Sequence, residues 1–289
     1  MRLSAFAKIN WSLDITGVRD DGYHLMDMLM QPISLADEID LSPADQILLT
    51  TGGYPPCKAD ERNLAFRAAA ALKEATGYPG GAAIHVEKQI PIGAGLGGGS
   101  ADAAGVLAGL NRLWKTGLPG AELEAIGLTL GADVPFCLRG GLTRTRGIGE
   151  LLEEIPNKYC YWLLVVQPCR GLRTGDIFQR WQECPDLIHP DTDQAERALR
   201  DGRLMDLCAS IGNVLEPVAS SLQGEIRQAI QELMNVGALR ALMTGSGSAV
   251  FGVFQSSAQA EKAYKPLRTR WRSTFLCHTQ QDSVRILNE

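Results

Sequence analysis

The chain has 289 residues, 45% hydrophobic and 21% charged, enough for one large domain or two without disulfide or metal staples. Its net charge of −5 argues against broad nucleic-acid binding, which needs an excess of Lys and Arg against phosphates. The seven cysteines form no Cys-x-x-Cys pair or Cys/His cluster, no stretch approaches the roughly 18 apolar residues of a spanning helix, and residues 1–8 lack an apolar leader core; a cytoplasmic protein with no metal cage and no membrane partner is expected.

From Leu3 to Thr16 apolar and polar residues alternate, the period of a half-buried strand. Lys8, Asn10 and Ser12 share its polar face, which read alone is a solvated one. Arg19-Asp-Asp-Gly-Tyr-His24 is a turn-rich loop. Asn63 to Thr76 predicts an alanine-rich helix with Asn63 as N-cap and Gly77 past its end. Residues 84–90 predict a strand, 100–114 a helix with an apolar stripe, and 122–130 a short helix ended by Gly131. The composition shifts near 155–160, and 161–166 predicts a buried strand. Helices are expected near 175–182, 193–216 and 222–235, a strand–turn–strand over 239–254, a helix near 257–270 and a last strand near 273–279. Without a strict βαβ repeat this is an α+β chain.

Between the 84–90 strand and the following helix lies Pro91-Ile-Gly-Ala-Gly-Leu-Gly-Gly-Gly-Ser-Ala101, with glycine at 93, 95, 97, 98 and 99. A strand, a glycine loop and a helix start make an anion cradle, because free N–H groups and the helix dipole face the ligand. A Walker loop would end in Gly-Lys-Ser/Thr, and this one ends in Gly99-Ser100. Gly93-x-Gly95-x-x-Gly98 matches the dinucleotide pattern literally, but the acidic residue expected about 20 positions on falls where a helix starts rather than where a strand ends. The protein-kinase motifs are absent. A phosphate cradle of another kind remains.

The string from Pro91 to Ala104 resembles the ATP loop of the galactokinase, homoserine kinase, mevalonate kinase and phosphomevalonate kinase (GHMP) superfamily. Lys8-Ile-Asn10 and Met243-Thr-Gly-Ser-Gly-Ser-Ala-Val-Phe-Gly252 fit it in order. Asp21-Gly-Tyr-His24 and Gly131-Ala-Asp-Val-Pro-Phe136 resemble the branch that phosphorylates a cytidine-diphosphate-linked methylerythritol. The likeness runs over about 3–254.

The resemblance implies an α+β two-domain fold: an ATP-binding domain of the ribosomal S5 domain 2 type over 1–156, and a ferredoxin-like domain over 157–289. It implies a small-molecule kinase using ATP with Mg²⁺, transferring phosphate to the 2-hydroxyl of its acceptor. Asp133 matches the catalytic aspartate and Lys8 the lysine beside it; Asp133 also reads as a turn or capping carboxylate. Residues Pro91 through Ala101 (Pro91, Ile92, Gly93, Ala94, Gly95, Leu96, Gly97, Gly98, Gly99, Ser100, Ala101) would meet the triphosphate. Asn10, Tyr23, His24, Phe178, Gly245, Ser246 and Gly247 would meet the acceptor, with Tyr23, His24 and Phe178 around the base. His24 also reads as a turn cap, and Phe178 as the core side of a helix. Asp102 is expected to point away from the nucleotide. The segment 168–178 departs from the branch's usual Val-Ser-Thr run, aligning only at Thr174 and Ile177-Phe178, and 144–150 is somewhat altered. The rivals are another kinase of the superfamily, a nicotinamide-dependent oxidoreductase and a non-catalytic nucleotide-binding module. Monomer and homodimer both stay open.

Overall fold

The computed structural model describes residues 1–54, 56–184 and 187–288. β1 (Arg2–Val18) turns back through 19–23 into β2 (His24–Ala44), its antiparallel partner. β3 (Leu48–Gly53), α1 (Leu64–Thr76) and β4 (Gly81–Lys88) form a crossover in which β3 and β4 run parallel. The Asn63 side chain accepts from Ala65 N, and Gly77 closes α1 in the left-handed region, as that stretch predicts. β4 runs into the glycine loop and then α2 (Gly98–Leu113), followed by α3 (Gly120–Leu130), α4 (Val134–Arg139), β5 (Leu142–Gly147) and β6 (Leu151–Ile155). α2 lies against the sheet closely. A Cβ at Gly109 would sit 2.4 Å from Leu41 and 2.7 Å from Leu3, so the small face of the helix sets that distance.

The second half comprises β7 (Trp162–Val166), α5 (Thr174–Trp181), α6 (Thr192–Asp201), α7 (Leu204–Ser210), β8 (Gly212–Asn213), α8 (Glu216–Leu222), α9 (Gly224–Asn235), β9 (Arg240–Met243), β10 (Val250–Phe254), α10 (Ser257–Arg270), β11 (Thr274–His278) and β12 (Val284–Asn288). Its sheet runs β11-β7-β10-β9, antiparallel throughout, with helices between β7 and β9 and between β10 and β11. That is the ferredoxin-like β-α-β-β-α-β order. The other sheet runs β12-β1-β2-β4-β3, with β5 beside β2, β6 beside β5 and β8 beside β1.

Three expectations need correction. Residues 284–288 do not stay with the 157–289 unit: β12 pairs with β1, and β8 also adds to the first sheet. The single helix expected over 193–216 is α6, α7 and β8. Gly202 ends α6 in the left-handed region, and the chain extends at Ile211. The polar face of β1 is not solvated: Lys8 is 4% exposed, Asn10 1% and Ser12 0%. Leu3 and Ala5 pack on α2, while Trp11 meets Tyr161 and Phe251 of the second half edge-on, with ring centroids at 5.4 and 5.7 Å. β1 is thus covered from both sides, and its polar stripe lies in the seam. Its pairing with β2 shifts register between Phe6 and Lys8 and between Asn10 and Ser12. Such irregularities re-aim side chains beside a site. Among the described residues no helix is long and apolar enough to cross a membrane, and all seven cysteines are free thiols.

Candidate active site

The seam is built around the glycine loop. Leu96 O accepts from Lys8 N at 3.0 Å, which ties the loop to β1. On its other side the loop meets residues 244–248, between β9 and β10. Ala249 N donates to Ala94 O at 3.0 Å, and a Cβ at Gly95 would lie 2.2 Å from Thr244 O. Gly95 has φ +77°, so both its conformation and this approach demand glycine. Residues 244–248 are themselves held: Asn213 Nδ2 donates to Met243 O at 2.9 Å and Gly245 O at 2.8 Å, and Thr244 Oγ1 accepts from Asn10 N at 2.9 Å.

Two cavities flank the loop. One, of about 630 Å³, is lined by Pro91–Gly95, Gly97–Ser100, the start of α1 at Asn63-Leu64, the cation Lys58, and the ion pairs Arg62–Asp60 and Lys88–Asp102. The other, of about 610 Å³, is lined by Lys8, Asn10, Tyr23, His24, Asp133 and Phe178, with Gly245 and Ser246 beside them. Gly93, Gly95, Gly97, Ser100 and Thr174 belong to both. The start of α2 therefore presents its free N–H groups where the two spaces meet. Leu96, Ala101 and Gly247 line neither: all three are buried, Ala101 on the inner face of α2.

At that junction Lys8 Nζ donates to Asn10 Oδ1 at 2.8 Å and stands 3.5 Å from Asp133 Oδ2. Asp133 occupies the N-cap position of α4, yet its side chain caps nothing. The capping alternative is thus not realised, and the carboxylate faces the cavity, 35% exposed. Behind it the Cys137 thiol is fully enclosed, and burial pushes it up, so it is a packing residue.

The far end of the second cavity is aromatic. Tyr23 stands exposed at its mouth, and the His24 and Phe178 rings lie 4.8 Å apart. Sequence reasoning missed two neighbours. Trp181 packs edge-on to His24 at 5.5 Å, and Gln182 Nε2 lies 3.1 Å from His24 Nε2. An amide nitrogen only donates, so Nε2 accepts and the ring proton sits on Nδ1. Burial lowers the His24 pKa from 6.5, which favours this neutral form. Only the i+3, i+4 spacing from Phe178 could have flagged this pair.

A second cluster was also missed. Lys88 donates to Asp37 and, at 2.7 Å, to Asp102 Oδ2. Asp37 Oδ1 accepts from Gln89 N and Ile90 N at 2.6 and 2.8 Å, fixing the strand exit that feeds the glycine loop. Burial alone would lower Lys88, but the charges of Asp102 and Asp37 overcome it and hold the ammonium. Burial raises the Asp102 carboxyl, Lys88 only partly offsets this, and Oδ1 of Asp102 has no partner among the described residues. Asp102 is held in an ion cluster rather than in solvent, yet with Lys88 it lines the cavity of the glycine loop, so it is not turned away from the nucleotide side as expected. No group of three or more His, Cys, Asp or Glu among the described residues could hold a metal ion by itself.

A fold of this kind, with a glycine loop between two cavities, defines a class. The family model for the GHMP kinases N terminal domain matches residues 63–141, and that for GHMP kinases C terminal matches 189–273. A Clostridium tetani protein described as 4-diphosphocytidyl-2-C-methyl-D-erythritol kinase is 38% identical, over 96% of this chain and all of its own length. A Moorella thermoacetica protein of the same description is 40% identical over 96% and 99%. A solved structure of 4-(cytidine 5'-diphospho)-2C-methyl-D-erythritol kinase superposes with a TM-score of 0.82 at 35% identity, covering 96% and 99%. The chain belongs to the GHMP kinases and, within them, to the 4-diphosphocytidyl-2-C-methyl-D-erythritol kinase family.

Proposed function

We propose that the protein transfers the γ-phosphoryl group of ATP to the 2-hydroxyl of 4-diphosphocytidyl-2-C-methyl-D-erythritol, giving the 2-phosphate and ADP in the non-mevalonate route to isoprenoid precursors. One observation carries this reading: the Lys8–Asp133 pair stands where a phosphate-binding cavity and an aromatic-ended cavity share the glycine loop. Donor and acceptor then approach from opposite sides, the arrangement an in-line transfer needs. ATP lies along the cavity of Pro91–Ser100, its phosphates on the N–H groups that open α2. The acceptor lies in the other cavity, its cytosine among Tyr23, His24 and Phe178. Neutral His24, its Nε2 engaged by Gln182, offers the Nδ1 proton to a base edge, and the rings offer stacking faces.

Asp133 accepts the proton of the attacking hydroxyl, since its oxygens are engaged by no cap and face the cavity. The Lys8 ammonium, fixed by Asn10, offsets charge on the transferring group and orients Asp133. Mg²⁺ would arrive on the ATP phosphates, since such ions keep waters and phosphate oxygens and need no protein cage. When bound, it would neutralise charge on the transferring phosphates. We place the reaction in the cytoplasm, where seven free thiols stay reduced and both ligands are small molecules.

The test is ADP release with a panel of acceptors. Turnover should require the cytidyl substrate, and homoserine or mevalonate should give none, because neither has a base for the aromatic end. Comparable turnover with either would overturn the acceptor assignment.

A further inference from the structure

A third cavity, of about 610 Å³, opens on the other side of Pro91-Ile92, where the exit of β7 and the entry of β11 meet the end of β4. Its floor is rigid: Gln167 N donates to Ser273 O at 2.9 Å, continuing the β7–β11 ladder. Three of its lining side chains are arginines (Arg170, Arg270 and Arg272), and none is an aspartate or glutamate. Arg270 is spoken for, with Nε 2.8 Å from Glu232 Oε1 and its guanidinium over the Trp271 ring at 5.7 Å. Trp271 Nε1 donates to the other Glu232 oxygen at 2.7 Å, so that carboxylate is fully used. Arg170 and Arg272 are exposed and have no carboxylate partner among the described residues. In a chain of net charge −5, a concave surface whose only charged lining side chains are arginines concentrates anions.

We propose that this cleft is a second anion site, separate from the phosphate loop, for a small diphosphate-bearing molecule held between Arg170 and Arg272. Guanidinium forks suit phosphate oxygens because they donate two parallel hydrogen bonds. Trp271, with its indole nitrogen anchored, and exposed Tyr54 offer ring surface to the organic part. The cleft also touches the catalytic machinery from behind. Gln167 Nε2 donates to Ile92 O at 3.4 Å, a Cβ at Gly171 would lie 2.1 Å from Gly93 O, and Ser248 Oγ donates to Cys169 O at 2.8 Å. A ligand that shifts residues 169–171 shifts the glycine loop, and the two sites then alter each other's affinity by the same factor.

The proposal stands whichever acceptor the kinase uses. Its test is calorimetric titration of inorganic pyrophosphate into the full-length protein already saturated with ADP, in metal-free buffer. One pyrophosphate should bind per chain, and Arg170→Ala with Arg272→Ala should weaken it by about tenfold or more, the two exposed charged contacts together being worth at least one decade. Both arginines are exposed, so an unchanged melting temperature certifies the double variant's fold. Pyrophosphate that binds only when ADP is absent occupies the phosphate loop, and the proposal fails. It fails equally if the double variant binds as the parent does.

Discussion

Lys8 and Lys88 press on adjacent residues of the same glycine loop. A Cβ at Gly97 would lie 3.0 Å from the Lys8 stem, and one at Gly98 3.5 Å from Lys88 Nζ. Both ammonium groups are buried and both face aspartates. They differ in how completely they are bonded. Lys88 holds two enclosed carboxylates, one of them locked by two backbone N–H groups. Lys8 has one neutral partner, Asn10, and keeps Asp133 at 3.5 Å beside an open cavity. The saturated site fixes the loop, and the unsaturated one has capacity left for a substrate. A strongly shifted carboxyl often marks a catalytic group. Here Asp102, raised by burial, belongs to the saturated site, so openness to the cavity is the better guide.

Substitutions at the open site should remove chemistry and spare the fold. Asp133→Asn and Lys8→Met should each lower kcat about 10²- to 10⁴-fold, the usual worth of a positioned base or charge. Their urea midpoints should stay near that of the parent. Near-normal turnover in either variant would break the comparison. At the saturated site, Lys88→Met leaves Asp37 and Asp102 enclosed without a cation and should cost about 3–5 kcal/mol of stability, read from the urea midpoint. A midpoint within experimental error of the parent would show that water or rearrangement satisfies the two carboxylates.

Chain-local features were legible before the fold was known. The glycine loop, Lys8, Asp133 and the Tyr23-His24 pair sit in short contiguous strings, and backbone constraint writes itself into such strings. Pairings between distant segments were not. Asp37 lies 51 positions from Lys88, and nothing in an alternating strand announces that partner. The burial of Lys8 and Asn10 failed for a related reason: alternation distinguishes two faces but not solvent from the other half of the same chain. β2, β3, β5, β6 and β12 went unread, and β12 reaches its sheet only by crossing back from the second half. Arg170 and Arg272, 102 positions apart, converge on one cavity only in three dimensions.

The comparison extends down the acceptor cavity to His24, whose neutral form burial favours. KM for the cytidyl substrate should stay flat from pH 8 down to 6.5, the ordinary histidine value, and rise only below it as the ring gains its second proton. Gln182→Ala frees Nε2 and should raise KM several-fold, about 1 kcal/mol for one lost hydrogen bond, with kcat little changed. A KM that climbs already between pH 8 and 7 would mean the ring is charged in the resting site.

The smallest effect separates the two members of the saturated site. Asp37 has both oxygens bonded, whereas Asp102 has one bonded and one without a partner among the described residues. A carboxyl raised above its unfolded value of 3.8 holds its proton longer in the folded state. The folded chain then binds more protons than the unfolded one, so stability falls as pH climbs through that interval. Asp102→Asn is neutral at every pH and removes this slope. Relative to the parent, the variant should hold the smaller advantage at pH 5, where only the start of that interval has been crossed. At pH 8 the variant should be the more stable of the two. A gap that does not change between pH 5 and pH 8 would mean that Asp102 is ionised throughout, and that Lys88 holds two full negative charges rather than one and a proton.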